Sequence, residues 1–241
     1  TIMAGNAVFK SALELREKIL GISAAYLDVA TDELEFSAGK VQGKSDSGGE
    51  PRLDLGHVLE LARPSSRYNQ GEMGLDVTSY FRSDEECFPC GAHAVHLTVD
   101  PETGKIEIER YVVAEDVGHV INPMILTGQL VGATAQGIGA TILEELVYDE
   151  GGQPLAGSLM DYLLPTSRDI PRIESEVVDL APSPLNPLGV KGAGEIGIVA
   201  TGAALSNAVS QALSSLGGQV RELPLSPDRL VKLIREGNIA R

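Results

Sequence analysis

The chain has 241 residues, 43% of them hydrophobic and 22% charged, which is enough to bury a core as one or two globular units and excludes a disordered polymer. A net charge of −15, with no lysine or arginine run, speaks against nucleic acid as a partner. No apolar run reaches the roughly 20 residues of a membrane span and no basic-then-apolar leader opens the chain, so the expectation is a cytoplasmic protein; two cysteines provide no disulfide framework. Thr1 in place of Met suggests a processed or trimmed chain, or a piece of something longer.

In chain order, Asn6 is expected to cap a helix whose apolar positions Val8, Ala12, Leu15 and Ile19 follow helical spacing, with Gly21 as its stop. Short strands are expected over 24–28, 33–37 and 40–42, a Ser/Asp/Gly loop over 45–51, and a helix over 53–62 opened by Asp54 and ended by Pro64. An interrupted strand is expected from Arg67 to Arg82. Next, His93, Val95, Leu97 and Val99 alternate with Ala94, His96 and Thr98, the pattern of a half-buried strand. Asp100-Pro101-Glu102-Thr103-Gly104 is a tight turn, and Ile106, Ile108 and Tyr111 to Val113 return as its partner. Pro123 suits a first helical turn, and the pattern predicts helix from Met124 to Val147. Its interior glycines 128, 132, 137 and 139 each cost about 1 kcal/mol against alanine, so either close helix packing or a ligand lying against the helix must offset them. A strand over 173–178, a helix over 196–216 and a helix over 227–236 complete an α+β chain, with a possible internal boundary near 65–90.

Three constellations bear on chemistry. Gly189-Val190-Lys191-Gly192-Ala193-Gly194-Glu195-Ile196-Gly197 sets a carboxylate on a glycine loop ahead of a helix, where Glu195 can serve as a general base and Lys191 favours an anionic or pterin-like ligand. The loop formally fits G-x-G-x-x-G, but the proline-rich stretch before it is not the strand a dinucleotide fold requires. Cys87 and Cys90 have redox or zinc spacing without a second pair, which favours ordinary cysteines. His93 and His96, three apart on a strand, face opposite sides and cannot share a metal; no metal ligand set is expected.

The segments Glu115 to Pro123, Thr127 to Gly139 and Gly189 to Glu195, in this order, resemble the molybdenum hydroxylases: xanthine dehydrogenase, aldehyde oxidase and the large subunit of carbon monoxide dehydrogenase. Pro89 to His93, Val99 to Gly104 and Gly5 to Val8 extend the resemblance along essentially the whole chain. It implies the C-terminal part of a molybdopterin-binding domain, with small mixed sheets and long packed helices. It also implies a molybdopterin cofactor, often a cytosine dinucleotide, with FAD and [2Fe-2S] centres on other domains or subunits. Glu195 matches the family's base for inserting water-derived oxygen at a C–H bond, or for CO oxidation. Gln129 matches a glutamine that hydrogen-bonds the cofactor, while Lys191, Gly192, Ala193 and Gly194 would turn backbone N–H groups toward it. Asn6 is a candidate for the dinucleotide end, and Gln136 for the pterin. The family's upstream half has no counterpart here, so the expected partners are that half, iron–sulfur and FAD subunits, and a small-molecule substrate. By itself the chain is expected to be inactive. A non-catalytic scaffold that kept the fold without cofactor is the alternative.

Overall fold

A computed structural model describes residues 2–44, 51–69, 74–178 and 181–239. The chain divides into two compact units, residues 1–84 with 186–188, and residues 85–185 with 189–241.

In the first unit, helix α1 (Ile2–Leu27) leads to a three-stranded antiparallel sheet of β1 (Leu34–Ser37), β2 (Lys40–Gly43) and β3 (Pro51–Asp54), followed by helix α2 (Leu55–Leu61). Asp54 caps α2, its Oδ1 accepting the His57 N–H at 2.8 Å. The core joins Ile19, Leu20, Ile22 and Ala24 of α1 to Leu34, Val41, Leu53, Val58 and Leu61. That burial corrects two expectations: α1 continues through Gly21, and residues 24–27 are helix, because apolar packing at 3.6-residue spacing outweighs one glycine's cost of about 1 kcal/mol. Asn6 lies inside α1 instead of capping it. The described part of 67–82 forms no strand, and the expected loop over 45–51 lies outside the described residues except for Pro51.

In the second unit, β4 (Cys90–Val99) and β5 (Ile106–Asp116) form the expected hairpin, and β6 (Ile173–Val177) adds parallel to β5. The hairpin turn is tied by Asp100, whose carboxylate accepts from the Glu102 N–H and the Thr103 hydroxyl, and Gly104 takes φ +71°. Tyr111 and Val113 of β5 and Leu97 of β4 pack against Ile138 of α3 (Pro123–Ile142), Leu205 and Val209 of α5 (Thr201–Ala212), and Leu230 and Ile234 of α6 (Pro227–Ile239).

The helix expected over 196–216 is divided into α4 (Ile196–Val199), α5 and a 3-10 turn at Ser214–Leu216. At the division, the Thr201 hydroxyl bonds the Gly197 carbonyl at 2.6 Å, and the Thr201 side chain lies against Gly137 of α3. α3 stops at Ile142, five residues short of expectation, where the N–H groups of Leu143 and Glu144 both close on the Gly139 carbonyl.

Two of the α3 glycines are explained by packing. A Cβ on Gly137 would sit 2.7 Å from Thr201 Cβ, and one on Gly139 would sit 2.7 Å from Pro165 Cγ. At Gly128 and Gly132 a Cβ would meet nothing within 4 Å.

Candidate functional site

The site is built where β5 runs out. Beyond Asp116, Gly118 pairs with Val190 in an isolated antiparallel bridge, the His119 N–H donates to the Gly189 carbonyl at 3.0 Å, and the Lys191 N–H donates to the Val117 carbonyl at 2.9 Å. The first and third family-like segments, far apart in sequence, are thereby bound side by side. Gly118 adopts φ +64°, and a Cβ there would lie 2.3 Å from the Gly189 carbonyl oxygen, so only glycine permits the approach.

The glycine loop then crosses to α3. Ala193 and Ile196 pack on Val117, Leu126 and Leu130. A Cβ on Gly197 would be 2.7 Å from the Leu130 carbonyl, so α4 lies against α3 at backbone contact. The middle family-like segment joins here: a Cβ on Gly194 would be 4.0 Å from Gln129 Oε1. Glu195, the next residue, is exposed at the N-cap of α4 and makes no capping bond. Ile125, Gly128, Gln129, Gly132 and Gln136 form an exposed face of α3 at helical spacing.

The structure thus brings Gln129, Gly194 and Glu195 together, and it redistributes the other roles. Lys191 does not hold its charge toward solvent: its Nζ lies 2.8 Å from Asp116 Oδ2, with side chains only 15% and 5% exposed. The lysine bond, aided by the Gly118 N–H on Oδ1, holds the Asp116 carboxyl below the usual carboxylate range. The Lys191 N–H is committed to Val117 and the Gly192 N–H to the Cys87 carbonyl at 3.0 Å. Among the described residues, the N–H groups of Ala193 and Gly194 have no protein acceptor. The loop N–H groups left without a protein acceptor are therefore those of Ala193 and Gly194, while those of Lys191 and Gly192 are spent within the protein.

Asn6 is fully buried in the first unit. Its Nδ2 donates to the Ile2 carbonyl at 2.8 Å and to Asn186 Oδ1 at 3.2 Å, and its Oδ1 accepts the Leu188 N–H at 3.0 Å. These bonds clamp the 186–188 segment that leads into Gly189. Gln136 is exposed.

Neither cysteine is in a disulfide, and the Ser183 hydroxyl donates to Cys87 Sγ at 3.4 Å. Among the described residues no cluster of three or more His, Cys, Asp or Glu could hold a metal directly. His93 and His96 do face opposite sides: His93 turns inward to the Tyr111 hydroxyl at 2.9 Å, and exposed His96 pairs with Glu109.

One buried acid received no role from the sequence. Glu115 is 1% exposed with neither carboxylate oxygen partnered, and burial pushes its pKa up to about 7. The available signal was its position: Tyr111, Val113 and Glu115 share the inward face of β5.

The sequence profile described as molybdopterin cofactor-binding domain matches residues 1–171, which include Gln129 but not the glycine loop. The gamma subunit of the 6-hydroxypseudooxynicotine dehydrogenase complex of Paenarthrobacter nicotinovorans is 36% identical over 231 residues, covering 95% of this chain and 29% of that subunit. The crystal structure of a Cu,Mo-CO dehydrogenase superposes with a TM-score of 0.87 at 29% identity, covering 99% of this chain and 29% of its own. Quinoline 2-oxidoreductase from Pseudomonas putida 86 superposes with a TM-score of 0.84 at 32% identity, covering 93% and 28%. The chain spans less than a third of the length of these relatives. No helix among the described residues is long and apolar enough to cross a membrane.

Proposed function

Because the chain belongs to the molybdopterin cofactor-binding domain family, we propose that it is the base-bearing part of the molybdenum subunit of a hydroxylase or dehydrogenase. Its site is completed by the remainder of that subunit. The observation that carries this reading is the meeting of Gln129 and Gly194 beside an exposed Glu195.

The residues fit the group. The face of α3 around Gly128, Gln129 and Gly132 is open to a flat ligand, since a Cβ at either glycine would meet nothing within 4 Å. The Gln129 amide offers both a donor and an acceptor, and the unspent N–H groups of Ala193 and Gly194 offer two donors from a turn fixed at both ends. When bound, molybdenum on its pterin supplies the two-electron acceptor and the Lewis acid.

Glu195 takes up the proton released as water-derived oxygen is transferred to substrate; its carboxylate, unhindered by capping bonds, is free to turn to the reacting atom. Asp116 and Lys191 fix the loop from beneath, and Gly118 permits the close pairing with Gly189 that aims it. The cytosine dinucleotide form of the pterin, and FAD and [2Fe-2S] centres on separate domains or subunits, complete the proposed electron path. An oxidisable small molecule with an electrophilic carbon is the substrate class; 6-hydroxypseudooxynicotine, quinoline and carbon monoxide, named by the relatives, form the first panel to assay.

Co-expressing the chain with the missing portion and its redox subunits, then measuring molybdenum and released pterin, tests the reading. Close to one molybdenum and one pterin per complex is expected. A correctly assembled complex lacking both would establish a scaffold instead.

A further inference from the structure

Three buried polar atoms from three different elements lie without a protein partner in bonding geometry: His93 Nε2 on β4, the Glu115 carboxylate on β5 and Thr134 Oγ1 on α3. They converge on one short stretch, Ile196–Gly197, immediately after Glu195. His93 and Glu115 share a face of the hairpin, since His93 pairs with Val113 and Gly91 with Glu115. The Ile196 backbone lies beside the His93 ring. Gly91 lets Ile196 and Glu115 approach the strand together: a Cβ there would lie 3.2 Å from Ile196 Cδ1 and 3.4 Å from Glu115 Cγ. From the other side, Thr134 Oγ1 is 3.0 Å from where a Gly197 Cβ would sit.

Thr134 adds an independent sign. Thr127 and Thr141 in the same helix return their hydroxyls to the carbonyls four residues back, Pro123 and Gly137. Buried Thr134 does not, so its hydroxyl is offered elsewhere. A carboxyl, an imidazole nitrogen and a hydroxyl make three buried hydrogen-bonding groups around one short stretch, within the two to four partners that an internal water requires. Burial favours the protonated, neutral form of the Glu115 carboxyl, which suits a neutral guest better than a cation.

We propose that Glu115, His93 and Thr134 bind an internal water beneath Ile196–Gly197, and that Glu115 is thereby a positioning residue for the turn carrying Glu195. The water links sheet to α3 beside the backbone contact of Gly197 with Leu130. The positioning role rests on the reading of Glu195 as the base; the water site does not.

The test is a high-resolution crystal structure of the assembled enzyme, paired with hydrogen–deuterium exchange of peptides covering 193–199 in Glu115→Gln, Glu115→Leu and Thr134→Val. One ordered water on Glu115 is expected, with exchange of 193–199 accelerated about tenfold in Glu115→Leu and Thr134→Val and restored to within about twofold in Glu115→Gln. Thr134→Val keeps the question open to measurement if Glu115→Leu does not assemble. A cation at the site, a Glu115 carboxyl bonded directly to protein, or unchanged exchange in Glu115→Leu or Thr134→Val would overturn the proposal. Neither readout depends on turnover, so an active Glu195→Gln enzyme would remove the base while leaving the water site standing.

Discussion

Glu115→Gln should change how the protein's stability depends on pH. The Glu115 carboxyl has an ordinary pKa of 4.5, and burial without a partner raises it to about 7 in the folded chain. Below pH 4.5 both folded and unfolded forms carry the proton, and the group contributes no slope. Between 4.5 and about 7 the folded form keeps a proton that the unfolded form has lost, so stability falls as pH rises, by about 1.4 kcal/mol per unit. Over that window the loss sums to about 3 kcal/mol, and above it both forms are ionised and the curve flattens. Glutamine cannot ionise, so its stability relative to the parent should rise by about 3 kcal/mol between pH 4.5 and 7.5. Urea denaturation of both proteins across that range reads the difference directly. The background slope from the chain's net −15 charge is common to both and cancels. An infrared carboxylic-acid band present at pH 6, lost with a midpoint about 7 and missing in Glu115→Gln, would identify the group. A parent-to-variant difference that stays flat from pH 4.5 to 7.5 would refute the reasoning.

The α3 glycines should divide in urea denaturation: Gly132→Ala should gain about 1 kcal/mol of stability while lowering bound molybdopterin in the assembled enzyme. Gly137→Ala, driven against Thr201, should lose up to about 2 kcal/mol, overpacking exceeding the gain in helix propensity; a Gly137→Ala more stable than Gly132→Ala would contradict the packing account. Lys191→Met strands a buried Asp116 and should cost about 3–5 kcal/mol in urea denaturation, most of it regained in Lys191→Met with Asp116→Leu; a loss below about 1 kcal/mol would show the pair to be dispensable. Asn6→Ala should cost about 1–3 kcal/mol in the same assay and speed hydrogen exchange at Leu188, whose N–H it releases; unchanged exchange would contradict the clamp.

The parts legible in the sequence are those specified locally. The β4–β5 hairpin announces itself through strict alternation and a turn whose Asp100, Pro101 and Gly104 each have a conformational task, and Asp54 and Pro123 mark their helix starts, one by its capping side chain and the other at the first helical position. Misreadings arose where distant packing outweighed local signals. Gly21 looks like a stop, but Ile19, Leu20, Ile22 and Ala24 are gripped by the first unit's sheet and carry α1 onward. The helix read as continuous over 196–216 is divided where Gly197 and Thr201 press against α3. At the site, Glu195 and Gln129 could be picked out as residues, and their proximity to the same turn could not. It depends on Gly118 meeting Gly189 and Gly197 meeting Leu130, contacts between segments some seventy residues apart. Which N–H groups the loop retains for a ligand was likewise unreadable, because Lys191 and Gly192 give theirs to Val117 and Cys87.

The central claim is that Glu195 moves the proton, and turnover of the Glu195→Gln enzyme measures it most directly. The variant should assemble with unchanged molybdenum and pterin content, since Glu195 makes no capping bond in the fold, and its kcat on the responsive panel compound should fall by about 100-fold or more. Full cofactor loading with kcat within about threefold of the parent would contradict the account, because a general base contributes at least about 100-fold.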